Sequence, residues 1–227
     1  MPIARVYDAK TGQIVTTIHD GYLDRLLRWS DIQEYLPFMH KAARSYPGVR
    51  VLELGARKGN STLTFLSAAQ MVNGTVVSVD IDPIIDDREG MNPWKDCPWW
   101  EFIQGDDMDE AILARLPAEV DVLFVDTSHE YDHTLRELRA YMPRVAPGGL
   151  ALFHDTTRLG VWDHESTIPS VARALDDYCA EMGITWENLP GEYGLGVILN
   201  ADNISSGQQD NEPPAGRTAG ERPVGLA

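Results

Sequence analysis

The 227-residue chain is 43% hydrophobic and 24% charged, the balance of a soluble protein with a single domain's core. Its formal net charge of −16 argues against a nucleic-acid or anionic-membrane partner, because either needs clustered Lys and Arg. Two distant cysteines, Cys97 and Cys179, exclude a disulfide framework. With no apolar leader and no run approaching ~18 apolar residues, the expectation is a cytoplasmic protein.

Residues 1–48 read as a helical N-terminal cover. Arg5-Val6-Tyr7 and the stretch from Gln13 to Ile18 suggest two short strands around Lys10-Thr11-Gly12. Tyr22, Leu23, Leu26, Leu27 and Trp29 then mark a short amphipathic helix. Ser30 with Gln33 forms a capping box for a second helix, which carries Ile32, Tyr35, Leu36, Met39 and Ala43 on one face and is kinked by Pro37. Such a cover either closes over a ligand or simply packs on the sheet edge.

The segment from Val49 to Thr62 organises the rest of the chain. An apolar run ends at Glu53-Leu54, and Gly55 and Gly59 then bracket a tight loop before a Ser/Thr-rich helix start. This is a buried parallel strand, a glycine loop and a helix, with Asn60 or Ser61 as cap and Asn73-Gly74 as stop. A dinucleotide fingerprint would need Gly-x-Gly-x-x-Gly; here a carboxylate, Glu53, occupies the first glycine's place, where it would repel a pyrophosphate.

Four more strands alternate with helices. Thr75 to Asp82 ends at Asp80, about 25 residues past the glycine loop, where an acid can grip ribose hydroxyls or merely end a strand. Trp94, Trp99 and Trp100 lie in an irregular stretch and either wall a substrate pocket or pack on the helix below. Trp100 to Asp106 ends in Gly105-Asp106-Asp107, whose acids can face an adenine amino group or cap a helix over 108–116. Val120 to Asp126 leads into Thr127-Ser128-His129-Glu130-Tyr131 and a helix with Leu135, Leu138, Tyr141 and Met142 on one face. Leu150 to Thr156 carries His154-Asp155, and a helix runs from about Pro169 to Met182. Strands within 184–189 and 193–199 form an antiparallel hairpin around Pro190-Gly191. Residues 201–227, poor in apolar side chains, read as a disordered tail.

Glu53, Asp80, Asp106, Asp126 and His154-Asp155 all fall at strand ends, which in a doubly wound sheet is the ligand-binding edge. Three readings suit the last two clusters. Asp126, His129, His154 and Asp155 can ligate Mg2+, with Asp126 and Asp155 as the oxygen donors; His129 or His154 can be a metal-free general base; or the four can form a network that orders the loops.

The sequence resembles the class I S-adenosylmethionine-dependent methyltransferases over residues 49–200. Glu53-Leu54-Gly55-Ala56-Arg57-Lys58-Gly59 is similar to their first motif, Val79-Asp80 to the acidic end of the second strand, and Gly105-Asp106 to the adenine-side position. Arg144-Val145-Ala146-Pro147-Gly148-Gly149 resembles the turn before strand five. Phe124-Val125-Asp126-x-x-His129-x-Tyr131 with Phe153-His154-Asp155 resembles the cephalosporin-hydroxylase-like and macrocin O-methyltransferase-like group.

The resemblance implies an α/β, Rossmann-like, doubly wound sheet of seven strands in the order 3-2-1-4-5-7-6. It implies S-adenosylmethionine as cofactor, held by Glu53, Gly55, Ala56, Arg57, Gly59, Ser61, Asp80, Gly105, Asp106 and Asp126. It also implies a small-molecule acceptor, often methylated at oxygen, as in natural-product biosynthesis; the strand-end constellation offers Asp126, His129 and His154 as its candidate catalytic groups. Metal-dependent relatives place acids after strands four and five; here Asp126 matches, but His154-Asp155-Thr156 departs from the usual second cluster. A non-catalytic cofactor-binding scaffold and another nucleotide-dependent enzyme are the alternatives, and the oligomeric state, a homo-oligomer included, stays open.

Overall fold

A computed structural model of the chain describes residues 6–8, 13–15, 17–83, 96–157 and 169–201. A small antiparallel pair, β1 (Val6–Asp8) and β2 (Gln13–Val15), comes first, with Val6 opposite Val15. Two helices come next, α1 (Ile18–Leu27) and α2 (Leu36–Arg44).

Local chemistry sets these helices differently from expectation. The capping box sits at the start of α1, where the Asp20 amide donates to Thr17 Oγ1 at 3.1 Å and the Thr17 amide donates to Asp20 Oδ2 at 2.9 Å. No box forms at Ser30; Gln33–Tyr35 is a 3-10 turn, and Gln33 Nε2 donates back to Leu26 O at 2.7 Å. Pro37 lies in the first turn of α2, where its missing N–H is no loss, so it opens the helix instead of kinking it. Leu27 and Trp29 are each 78% exposed and do not share the buried face.

The main sheet takes β3 (Arg50–Leu54), β4 (Thr75–Asp80), β5 (Trp100–Gln104), β6 (Val120–Val125), β7 (Val145–His154), β8 (Glu187–Leu189) and β9 (Leu195–Leu199). Their order is β5-β4-β3-β6-β7-β9-β8, which counted from β3 is the expected 3-2-1-4-5-7-6. The first five strands of that row are parallel, and β9 runs antiparallel to β7 and to β8. The chain reverses its direction of travel across the sheet between β3 and β6, and ligands of such sheets sit beyond the strand ends at that point.

The remaining helices are α3 (Asn60–Val72), α4 (Glu110–Leu113), α5 (Tyr131–Tyr141) and α6 (Ser170–Met182). Strand parity divides the core between the two faces. Val51, Val76, Val122 and Phe124 pack with α1, α2 and α3, while Leu52, Leu54, Leu123 and Val125 pack with α5 and α6. Such double burial explains why the central strands read as apolar runs. No helix among the described residues is long and apolar enough to cross a membrane.

Candidate functional site

The glycine loop is shaped by close approach. Gly55, at φ +83°, follows β3, and a Cβ there would lie 2.0 Å from the carbonyl oxygen of Asp126. Only glycine lets the ends of β3 and β6 come so near, and the Asp126 amide donates to Leu54 O at 2.9 Å across the gap. Gly59, also left-handed, is the N-cap of α3 and leaves the helix without a side-chain cap. Asn60 and Ser61 therefore do not cap it; Ser61 instead hydrogen-bonds Glu53.

Two cavities meet around this loop. One, of about 340 Å3, is lined among others by Gly55, Arg57, Asp80, Gly105, Asp106 and Asp126. The other, of about 530 Å3, lies under the N-terminal segment between Trp29, Asp31, Arg57, Lys58, Ser61 and Tyr193, with Ala56 and Asp126 also on its wall. Gly55, Arg57 and Asp126 belong to both. Most of the expected cofactor residues therefore line one continuous region at the strand ends. Gly59 lines neither cavity and acts through the loop's shape.

Asp80 is a backbone receptor for the loop. Its Oδ2 accepts from the amides of Ala56 at 2.8 Å and Arg57 at 2.7 Å, and its Oδ1 from the Asp82 amide at 2.9 Å. Arg57, at φ +44°, also pairs with Asp31 at 2.9 Å, tying the loop to the connection between α1 and α2.

Glu53 departs from expectation, for it lines neither cavity and is fully buried. As an odd position in β3 it points to the α1–α3 face, where Thr62 Oγ1 donates at 2.7 Å and Ser78 Oγ at 2.5 Å. Trp100 Nε1 in turn donates to Ser78 Oγ at 3.1 Å, and Trp99 packs against the core on this face. Trp99 and Trp100 therefore pack on this face of the sheet and line neither of the two cavities; Trp94 lies outside the described residues. Burial pushes the Glu53 carboxyl up to about 7 against its three hydroxyl donors.

After β6 and β7 the structure brings together Asp126, His129, His154 and Asp155. Asp126 Oδ1 faces His129 Nε2 at 3.0 Å and His154 Nδ1 at 3.2 Å, while Asp155 Oδ2 lies 3.0 Å from His129 Nε2 and 3.5 Å from His154 Nδ1. His129 and Asp155 both take left-handed backbone, at φ +60° and +61°, which turns their side chains toward each other. Tyr35 and Tyr193 flank the His154 ring.

Two carboxylates alternate here with two imidazoles, so the cluster balances its own charge. Burial alone would lower both imidazoles, but the hydrogen bonds and charges of Asp126 and Asp155 outweigh it and raise His129 to about 9 and His154 to about 10. Burial would likewise raise Asp126, yet the two imidazoles hold it down to about 2. Magnesium prefers oxygen donors. The inward oxygens of Asp126 and Asp155 already serve the imidazoles, so this arrangement does not fit Mg2+. Of the four groups only Asp126 lines the cavities.

A second cluster was missed in the sequence. His133 Nε2 lies 3.2 Å from Asp107 Oδ1 and 3.4 Å from Glu137 Oε1, and Thr127 Oγ1 donates to Glu137 Oε1 at 2.7 Å. The signal was the four-residue spacing of His133 and Glu137, which puts both on one face of α5. Asp107 does not cap a helix; α4 is only Glu110–Leu113, and Asp109 caps it.

Residues 52–156 match the family model of a methyltransferase domain. Similar folds include the S-adenosylhomocysteine-bound methyltransferase PaMTH1 of Podospora anserina, 19% identical with a TM-score of 0.58, covering 80% of this chain and 86% of that one. Another is the O-methyltransferase TomG of Streptomyces achromogenes, in complex with S-adenosylmethionine, at 16% identity and a TM-score of 0.57, covering 87% and 92%. MycE, from the mycinamycin pathway and in complex with Mg and S-adenosylhomocysteine, is 19% identical with a TM-score of 0.57, over 86% of this chain and 57% of that one. At these identities the likeness is one of fold. A curated Sinorhizobium fredii protein, y4gI, is 27% identical over 94 residues, which are 40% of this chain but 9% of that protein.

Proposed function

We propose that this chain, whose residues 52–156 form a methyltransferase domain on the class I fold, carries the methyl group of S-adenosylmethionine to an oxygen of a small molecule. One observation carries the reading: two cavities meet at Gly55, Arg57 and Asp126, so a cofactor lying across the glycine loop would present its sulfonium to both. The adenosine half suits the cavity of Asp80, Gly105 and Asp106. The acceptor suits the cavity under Trp29 and Tyr193. Neighbours of similar fold that hold S-adenosylmethionine or its demethylated product support the cofactor.

In this reading an acceptor hydroxyl is held by Asp126 while its oxygen attacks the methyl carbon in line. The carbon–sulfur bond breaks and the hydroxyl proton passes to the Asp126–His129 pair. His129, beside Asp126 and less deeply buried than His154, acts as base once it has lost its own proton. His154 and Asp155, buried behind, position that pair. Orientation in the two cavities supplies much of the remaining acceleration.

Calorimetric titration with S-adenosylmethionine tests the reading. Micromolar binding that Asp80→Ala abolishes, through loss of the acceptor for the Ala56 and Arg57 amides, is the expected result. No binding at millimolar cofactor would overturn it.

A further inference from the structure

Asp107, His133 and Glu137 take no part in that chemistry, yet they form a cluster with unmet bonding capacity. Asp107 is 8% exposed and Glu137 fully buried. Asp107 Oδ1 and Glu137 Oε1 face His133 Nε2, but Asp107 Oδ2 and Glu137 Oε2 find no hydrogen-bond donor among the described residues. A buried carboxylate oxygen without a donor is costly, and two such oxygens in one cluster leave room for a shared partner. Two carboxylates here face a single imidazole, whereas the neighbouring cluster holds two imidazoles.

We propose that Asp107, His133 and Glu137 form a binding site for one divalent cation of the class that accepts mixed carboxylate and imidazole ligands, such as zinc or manganese. One donor atom from each residue lies within 4.8 Å of the other two. Tetrahedral bonds of about 2.1 Å need ligand atoms about 3.4 Å apart. His133 Nε2 already stands at 3.2 and 3.4 Å from one oxygen of each carboxylate. Thr127 Oγ1, donating to Glu137, orients that ligand from outside.

His133 Nδ1 lies 3.2 Å from Arg136 Nη2. A cation at Nε2 would take the place of the proton there and leave Nδ1 as the ring's N–H, so Arg136, on an exposed contact, would turn away. Asp107 and His133 line the 340 Å3 cavity, so the ion's remaining positions open onto it. The ion would join the β5 loop to α5 and, through Thr127, to the β6 loop.

The test needs neither cofactor nor acceptor, so its failure is distinct from a failure of the proposed activity. The full chain, stripped with chelator, is dialysed against micromolar Zn2+ or Mn2+ and its bound metal measured. Wild type and Asp126→Asn are expected to retain one equivalent, and Glu137→Gln and His133→Ala to weaken its binding by about tenfold or more. Circular dichroism confirms folding, and Glu137→Gln, which keeps the side chain's shape, decides the matter if His133→Ala does not fold. Wild type binding no metal, uptake unchanged in Glu137→Gln, or an equivalent lost with Asp126→Asn would each overturn the site.

Discussion

Two clusters, each holding two carboxylates, flank the same cavity and differ in one imidazole. Asp126 and Asp155 share His129 and His154, each turning one oxygen to both imidazoles. Asp107 and Glu137 share only His133 and keep an oxygen apiece without a donor. The difference teaches that the tally of charge, more than the types of residue present, decides what a buried polar cluster can do. A balanced cluster holds its own protons and suits proton transfer. An unbalanced one demands something from outside.

The comparison breaks most visibly in catalysis. Asp126→Asn keeps the shape but removes the charge that binds both imidazoles, and turnover should fall by about a hundredfold or more, read as kcat on the identified acceptor. Asp155→Asn should act on stability. Asn tolerates the left-handed backbone at this position, so the loss isolates the charge, and two imidazoles would then share one carboxylate. Breaking a buried pair in this way costs about 3 kcal/mol, measurable by urea unfolding at neutral pH.

The pH dependence sharpens the contrast. His129 is raised to about 9, so the stability it contributes is fully present below its ordinary 6.5 and is lost as pH rises through 9. If His129 is also the base, activity climbs over the same range, and His129→Asn should remove both slopes. A flat rate profile in wild type would exclude His129 as the base. Glu53 is the counterexample of a carboxylate with no imidazole beside it. Burial raises it from 4.5 to about 7, so its contribution is fully present below 4.5 and lost as pH rises through 7. Glu53→Gln should flatten that limb of the urea midpoint against pH.

These particular residues also mark how far the sequence could be read. The sheet order was legible because strands buried on both faces leave apolar runs that turn chemistry punctuates, and Asp126, His129, His154 and Asp155 were legible because they sit where two such runs end. Glu53 was misplaced because motif position was weighed without strand parity: one residue short of the strand end, its side chain faces α3 and not the cavity. His133 and Glu137 were passed over because α5 was read only for its apolar stripe, and Asp107 joins them from a loop that folding alone brings near. At the start of α1 the box formed by Thr17 and Asp20 escaped notice because Thr17 was taken into a strand that ends earlier, at Val15.

The smallest effect is the most discriminating. In chelator at pH 8, Glu137→Gln removes one of two facing carboxylates, while the amide oxygen still accepts from Thr127. If the second cluster carries excess negative charge, the loss relieves repulsion and the protein should be unchanged or stabilised by up to ~1 kcal/mol, in contrast to Asp155→Asn. With Zn2+ restored, the order should invert, because wild type gains the free energy of binding and the variant does not. A loss of several kcal/mol in chelator would mean that Glu137 already has a full partner, and the two clusters would then differ only in place.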